Sequence, residues 1–366
     1  MKRFLEAKKD EENSMKHTRI MLVGDSTYEI YVKAFYNAFK KLGYQNVELF
    51  ATNTFFYKGK NKIADILSRV QNKYVWGNRI CKIQSELLAR VDEFKPDMVF
   101  VYSSRQIWPS TIKKIKDKQI TVYMYNNDNP FAKYYPKYFW RYYRKALKYA
   151  DIGFVYREEN RNDYMSAGCK KVELLRSYYI EDRNYYMEQS SVEAPEVVFI
   201  GHYENDFRIQ YMQKMLDNKI EIGVPNTNWK NFWEDNPYFI KLSDCMTKYN
   251  EYINAAQIAI VFLSTLNKDT YTRRCFEIPA TKTFMLSQYT DDIATMFEED
   301  KEIVFFRNAD ELVDKIKYYL QHPDERENIA EAGYARLMKD GHEVCDRIIQ
   351  IMNLYEDKKT GYEKAK

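Results

Sequence analysis

The chain is predicted to be an α/β protein of two doubly wound domains, on three observations. Short apolar runs alternate with longer helix-patterned segments from Arg19 onward, and the alternation restarts after the polar stretch Ser190–Pro195. The 366 residues also exceed the roughly 250–300 at which a single core stops growing, so two domains with a cleft between them follow.

In the first half the strands are expected at Ile20–Val23, Val47–Phe50, Met98–Tyr102, Thr121–Tyr125, Ile152–Tyr156 and Val172–Leu175. Each is an apolar run of strand length bounded by polar or turn-forming residues. Helical patterns fill the gaps at Tyr28–Leu42, Asn61–Phe94 with a break, Ser110–Lys116, Pro136–Tyr149 and Glu158–Ala167. The second half gives strands Val197–Ile200, Ile220–Gly223, Ile258–Leu263, Phe284–Leu286 and Ile303–Phe305. Its helices are Phe207–Leu216, Lys248–Ala255, Arg274–Ala280, Ala309–Gln321 and Pro323–Asp340, and a last helix, Glu343–Leu354, has the option of returning to the first domain. The resulting division is a tail at 1–17, a first domain at 18–189, a second at 190–342, and a terminal helix and frayed tail at 343–366.

With 45% hydrophobic and 30% charged residues, the composition suits a folded chain with apolar matter for two cores. A net charge of +4 is too small to argue for nucleic-acid binding. Lys, Asn, Tyr and Ile are all abundant, so the 33 tyrosines carry little weight as a functional signal. The five cysteines lie far apart with no C-x-x-C and no His at ligand spacing, so neither a disulfide framework nor a zinc site is expected. The charged opening segment lacks the apolar core of a signal peptide, and no apolar run nears the roughly 20 residues of a membrane span. The expected location is the cytoplasm or the inner face of its membrane.

Ligands of open α/β sheets sit beyond the carboxyl ends of strands, which directs attention to four loops. In Gly24-Asp25-Ser26-Thr27, Gly24 permits close approach of a ligand, while Asp25 or Ser26 also serves as a helix cap. In Asn126-Asn127-Asp128-Asn129-Pro130, turn formation explains the composition, and the functional alternative is that Asp128 acts as general base on an acceptor hydroxyl. The loop Gly201–Arg208 opens a helix, where a phosphate would rest near Gly201 beside His202 and Arg208; for His202 a surface or capping role competes. It is neither a G-x-G-x-x-G nor a P-loop, which argues against dinucleotide and ATP sites of those kinds. The fourth segment, Arg273–Phe284, sets two guanidiniums and the Glu277 carboxylate between a charge-free strand and a helix start, whose unpartnered amides favour anions. Asp291-Asp292 reads as a helix cap, and no metal cluster is found.

The runs Arg274–Ala280, Phe284–Leu286 and Phe297–Phe305, with Glu311-Leu312, Arg326, Ile329–Gly333 and His342, resemble bacterial group 1 glycosyltransferases of the spore-maturation-protein type. The likeness extends back through Phe199–Gly201 and Arg208 and, more loosely, to Lys95-Pro96-Asp97 and the Asn-Asp-Pro loop. It implies a GT-B fold, two Rossmann-like domains facing across a cleft, with a nucleotide-sugar held by the second. It also implies that Glu277 hydrogen-bonds the donor ribose and that positive groups replace a metal at the diphosphate, here Arg208, Arg273 and Arg274; Lys282, where the chain departs from the family pattern, either contacts phosphate or points to solvent. Two departures stand out: Asp269 occupies the place of a second Glu, and Thr281-Lys282 follows Ala280 where the family carries Gly.

The expected activity is therefore glycosyl transfer from a nucleoside-diphosphate sugar, with UDP as the expected nucleotide. The acceptor would be a glycan, lipid-linked or protein group in surface polysaccharide or glycoconjugate synthesis, and no further cofactor is called for. An epimerase or hydrolase on the same scaffold, and a non-catalytic glycan or nucleotide binder, are the rival readings. Lys133, Lys137, Arg141, Arg144, Lys145 and Lys148 line one face of the segment 133–148, opposite Phe139, Tyr143, Ala146, Leu147 and Ala150. That is either an ordinary solvated helix face or a contact for anionic lipid or a phosphate-bearing acceptor.

Overall fold

The computed structural model describes residues 16–56, 61–229 and 232–364. The chain forms two compact units: one runs to Arg176 and takes up Val344 onward, and the other is Ser177–Glu343. The sequence placed that division near residue 190.

The first unit is built on six strands: β1 Ile20–Gly24, β2 Val47–Ala51, β3 Met98–Tyr102, β4 Thr121–Asn126, β5 Ile152–Val155 and β6 Val172–Leu174. All pair in parallel, in the order β2-β1-β3-β4-β5-β6. Helices cover such sheets on both faces, which is why β1, β3 and β4 are buried throughout and read as continuous apolar runs. Ile20 pairs with Val47 on one side and Met98 on the other, so strand order reverses between β1 and β3. The helix Val344–Lys364 belongs to this unit: Arg347 Nε donates to the Arg176 carbonyl, Gln350 to the Leu174 carbonyl, and Lys358 pairs with Asp151 at 2.8 Å.

The second unit repeats the plan with β7 Val197–Val198, β8 Ile222–Pro225, β9 Phe239–Leu242, β10 Ile258–Val261, β11 Phe284–Gln288 and β12 Val304–Phe306. The order is β12-β11-β10-β7-β8-β9, all parallel, with the reversal between β7 and β10. Its core joins Phe199, Trp229, Phe262 and Phe306 to Ile258, Ile260 and Leu286.

The break expected within Asn61–Phe94 is present: the segment forms two helices, Lys62–Tyr74 and Asn78–Phe94, separated where Val75 and Gly77 adopt positive φ. Two other expectations are corrected. The strand β9 was missed, because it is a four-residue edge strand carrying Lys241. The segment Pro136–Tyr149 is helical only from Arg141 to Ala146, with a 3-10 turn to Tyr149. Before that point the chain turns so that Tyr135 stacks on Phe139 and Trp140 is buried. Arg141 and Arg144 of the expected basic face instead donate to backbone carbonyls, Arg141 to Tyr74 and Val75, and Arg144 to Pro130 and Lys137.

Candidate functional site

In the second unit the loops after β7 and β10 leave the sheet at the strand-order reversal, the usual place for a ligand in such sheets. Arg208, the first residue of the helix Arg208–Asp217, is only 2% exposed. Its guanidinium donates to the His202 carbonyl at 2.9 Å and the Leu263 carbonyl at 3.0 Å, so it ties the loop after β7 to the end of β10. Glu204 at 3.3 Å and Asp206 at 3.7 Å balance its charge. Those carboxylates are themselves held by Ser264 and Thr265 from the other loop.

Arg274 reaches the same place from the helix Arg274–Ala280, donating to the Phe262 carbonyl at 3.3 Å. Its guanidinium lies 5.4 Å from the Phe199 ring centre and that of Arg208 lies 6.0 Å from the same ring, so two like charges share one aromatic surface. Burial holds the Arg208 pKa below its ordinary value, Glu204 and Asp206 oppose that, and the Arg274 charge reinforces it. An anion between the two would relieve the repulsion. Gly201 lies beside the Phe199 ring, where a Cβ would collide with it, and its carbonyl accepts from Trp229 Nε1.

Glu277 is 6% exposed, one helical turn from Arg273, whose Nε lies 3.9 Å from Oε1. Burial raises its pKa, against the lowering influence of Arg273, the Tyr249 hydroxyl, Arg274 and Arg183. A buried carboxylate ringed by cations is well suited to accept hydrogen bonds from hydroxyl groups. The helix is seven residues long, with Pro279 inside it and no side-chain cap at Arg273, so the positive field comes chiefly from the guanidiniums.

Of the sequence-selected residues, Arg208, Arg274 and Gly201 gather around Phe199, while Arg273 pairs with Glu277 next to them. His202 is exposed and contributes its carbonyl to Arg208. Lys282 stands just past the other end of the helix, paired with Glu331 at 2.8 Å, and is not brought to this group. Asp269 donates its backbone N–H to the Ser264 carbonyl within the loop after β10. Sequence reasoning missed Glu204, Asp206, Arg183, Tyr249 and the Phe199 ring; the loop position of Glu204 and Asp206 was the available signal.

The first unit has its own pocket of about 270 Å³ at the β1–β3 reversal, lined by Asp25, Tyr102, Arg105, Asp128, Tyr135 and Trp140 among others. Asp128 therefore borders a pocket and also completes a turn, its N–H donating to Asn126 Oδ1 at 3.0 Å. Ser103 adopts φ 46°, a strained setting for a non-glycine residue, and its hydroxyl meets Asn126 Oδ1 at 2.6 Å. Neither Asp25 nor Ser26 caps the following helix, which starts at Val32: Asp25 accepts from the Thr27 N–H, and Ser26 bonds Asn53. A Cβ at Gly24 would meet the Tyr102 carbonyl of β3 at 2.9 Å and the Val32 side chain at 3.2 Å. Asp291 and Asp292 form the first turn of the helix Asp291–Met296, whose cap is Thr290. Among the described residues no group of three or more His, Cys, Asp or Glu is arranged to hold a metal, and no helix is long and apolar enough to cross a membrane.

Residues 210–353 match the family described as Glycosyl transferase-like. The spore protein CgeB of Bacillus subtilis is 21% identical over 276 residues, covering 69% of this chain and 81% of that protein. Sucrose-phosphate synthase from Thermosynechococcus elongatus matches with a TM-score of 0.68 at 11% identity, covering 94% of this chain and 100% of the other. The Anabaena protein HepE, solved with UDP-glucose, matches with a TM-score of 0.62 at 9% identity over 93% of this chain and 100% of its own. At such identities the structural likeness shows the fold alone, and the two Rossmann-like units are those of the GT-B class.

Proposed function

We propose that the chain, which has the GT-B fold and resembles Glycosyl transferase-like proteins and CgeB, transfers a sugar from a UDP-sugar to a hydroxyl-bearing acceptor, using the loops after β7 and β10 as the donor site. Glu277 accepts hydrogen bonds from the donor ribose. Arg208 and Arg274, with Arg273 alongside, hold the diphosphate and stabilise the charge it gains on leaving, so no metal is required. The acceptor oxygen forms a bond to the anomeric carbon as the bond from that carbon to the phosphate oxygen breaks. The departing diphosphate keeps the bonding electron pair, and a general base takes the hydroxyl proton, the role we assign to Asp128.

The observation that carries this reading is the placing of the buried Arg208 guanidinium and the half-buried Arg274 guanidinium against one ring, Phe199, with a buried carboxylate nearby among further arginines. Such a group suits a ligand with a diphosphate at one end and vicinal hydroxyls at the other. HepE, whose solved complex contains UDP-glucose, supports the choice of UDP. The acceptor would be a glycan, lipid-linked or protein hydroxyl in surface glycoconjugate synthesis, made at the cytoplasmic side of the membrane. Calorimetry with UDP-, GDP- and dTDP-sugars tests the donor half: heat with a UDP-sugar that Glu277→Ala abolishes is expected, and silence of the native protein toward every nucleotide sugar would refute it.

A further inference from the structure

The helix Lys62–Tyr74 is amphipathic in the reverse of the usual sense. Its apolar positions Ile63, Ile66, Leu67, Val70 and Tyr74 fall at spacings of three and four and so form one stripe. That stripe faces outward: Ile63 is 66% exposed, Ile66 59% and Leu67 54%, with Val70 and Tyr74 exposed beside them. The side turned to the protein is polar and small, with Ser68 buried and Ala64, Asp65, Gln71 and Asn72 half-buried. Asn72 Oδ1 accepts from Gln106 at 3.0 Å and Arg105 at 3.3 Å, so hydrogen bonds fix this orientation. A helix of a water-facing surface normally buries its apolar face, and contiguous exposed apolar patches mark interaction sites.

Charge identifies the occupant. Lys62, Arg69 and Lys73 are exposed and flank the stripe along one edge, separated from one another by seven and four residues. Trp76, 69% exposed, follows at the helix end, and Tyr74 meets Tyr138 at 5.2 Å between ring centres. Arg141 donates to the Tyr74 and Val75 carbonyls, which joins the helix end to a groove lined by Arg141, Arg144, Lys145 and Lys148 with no acidic residue. Aliphatic residues at the centre, tryptophan and tyrosine at the border and cations at the rim are the pattern of a helix lying in the headgroup region of a bilayer. We infer that the first unit docks on an anionic membrane surface through this helix, with the exposed Lys145 and Lys148 of the adjoining groove taking lipid phosphate.

Sedimentation with vesicles tests this in the full chain, independently of any donor binding. Vesicles of equal parts phosphatidylcholine and phosphatidylglycerol should carry the protein down, and phosphatidylcholine alone should do so far less. Because these side chains are exposed, Ile66→Glu with Leu67→Glu should leave thermal unfolding and UDP-sugar binding unchanged. The same pair should cut the vesicle-bound fraction by about tenfold or more. Arg69→Glu with Lys73→Glu should lower binding to the anionic vesicles by about fivefold or more for each cation lost, and high salt should mimic it. The emission of Trp76 should shift to the blue on adding anionic vesicles, and Trp76→Phe should remove that shift. Two outcomes would overturn the inference: native protein that ignores the anionic vesicles, or a dimer in light scattering that Ile66→Glu with Leu67→Glu splits while vesicle binding is absent, which would assign the stripe to a second copy of the chain.

Discussion

The two strand-order reversals both lie in six-stranded parallel sheets and have opposite chemistry. At β1–β3 the loops present aromatic walls, Tyr102, Tyr135 and Trp140, with the carboxylates Asp25 and Asp128 and a single guanidinium, Arg105, whose pKa burial lowers. At β7–β10 they present Arg208 and Arg274 over one ring, with Arg273 beside Glu277 and with Glu204 and Asp206 holding Arg208. A parallel sheet thus decides where a ligand can sit, and the residues after each strand decide what it can be. Aromatic surface with hydrogen-bonding groups suits a sugar ring, and clustered guanidiniums suit a diphosphate.

The largest effect should come from breaking the tie between the two loops of the second unit. Arg208→Ala removes two hydrogen bonds to backbone carbonyls and leaves Glu204 and Asp206 without their cation. Loss of one partner from a buried pair costs about 3–5 kcal/mol, so calorimetric unfolding should occur at a clearly lower temperature and UDP-sugar binding should vanish. A variant of unchanged stability that still bound donor would remove Arg208 from both roles.

Asp128→Asn should act on the other side of the comparison. If Asp128 takes the acceptor proton, kcat should fall by about 10²–10⁴-fold while calorimetric affinity for the UDP-sugar stays as in the native protein. A change in donor affinity with kcat intact would reverse the division of labour between the units.

How far the sequence revealed each region follows from what burial does to composition. Strands buried on both faces, such as β1, β3 and β10, carry no charge and stood out; β9 lies at an edge, bears Lys241 and did not. Arg274 and Glu277 were visible because they are close in sequence. The bond from Arg208 to the Leu263 carbonyl spans 55 residues, and the shared Phe199 ring exists only once β7 and β10 are adjacent. The apolar period of residues 62–74 was part of the helical pattern, but period alone does not say which face turns outward.

A smaller effect, and one that depends on pH, is expected at Glu277. Burial raises its pKa, so the folded protein keeps the proton to a higher pH than the ordinary value of 4.5. The stability associated with that retained proton is fully present below the ordinary value and is lost as pH rises through the raised one. Ribose binding has the opposite sign, because the ionised carboxylate accepts hydrogen bonds from both hydroxyl groups. UDP-sugar affinity should therefore weaken as pH falls through the raised value, and proton release on binding should make the calorimetric heat depend on the buffer at and just below it. Glu277→Gln should weaken binding by about 1.5–3 kcal/mol and flatten the pH profile. A native profile as flat as that of the variant would detach the carboxylate from the donor.

The smallest effect separates the two ends of the helix Arg274–Ala280. Lys282 follows the end opposite to Arg274, pairing with exposed Glu331 and lying 4.7 Å from the Tyr334 ring centre. Exposed ion pairs contribute about 0–1 kcal/mol, so Lys282→Ala should shift unfolding slightly and leave UDP-sugar affinity unaltered, whereas Arg274→Ala should abolish binding. A tenfold loss of donor affinity in Lys282→Ala would restore this lysine to the phosphate site and require the cation cluster at Phe199 to extend along the whole helix.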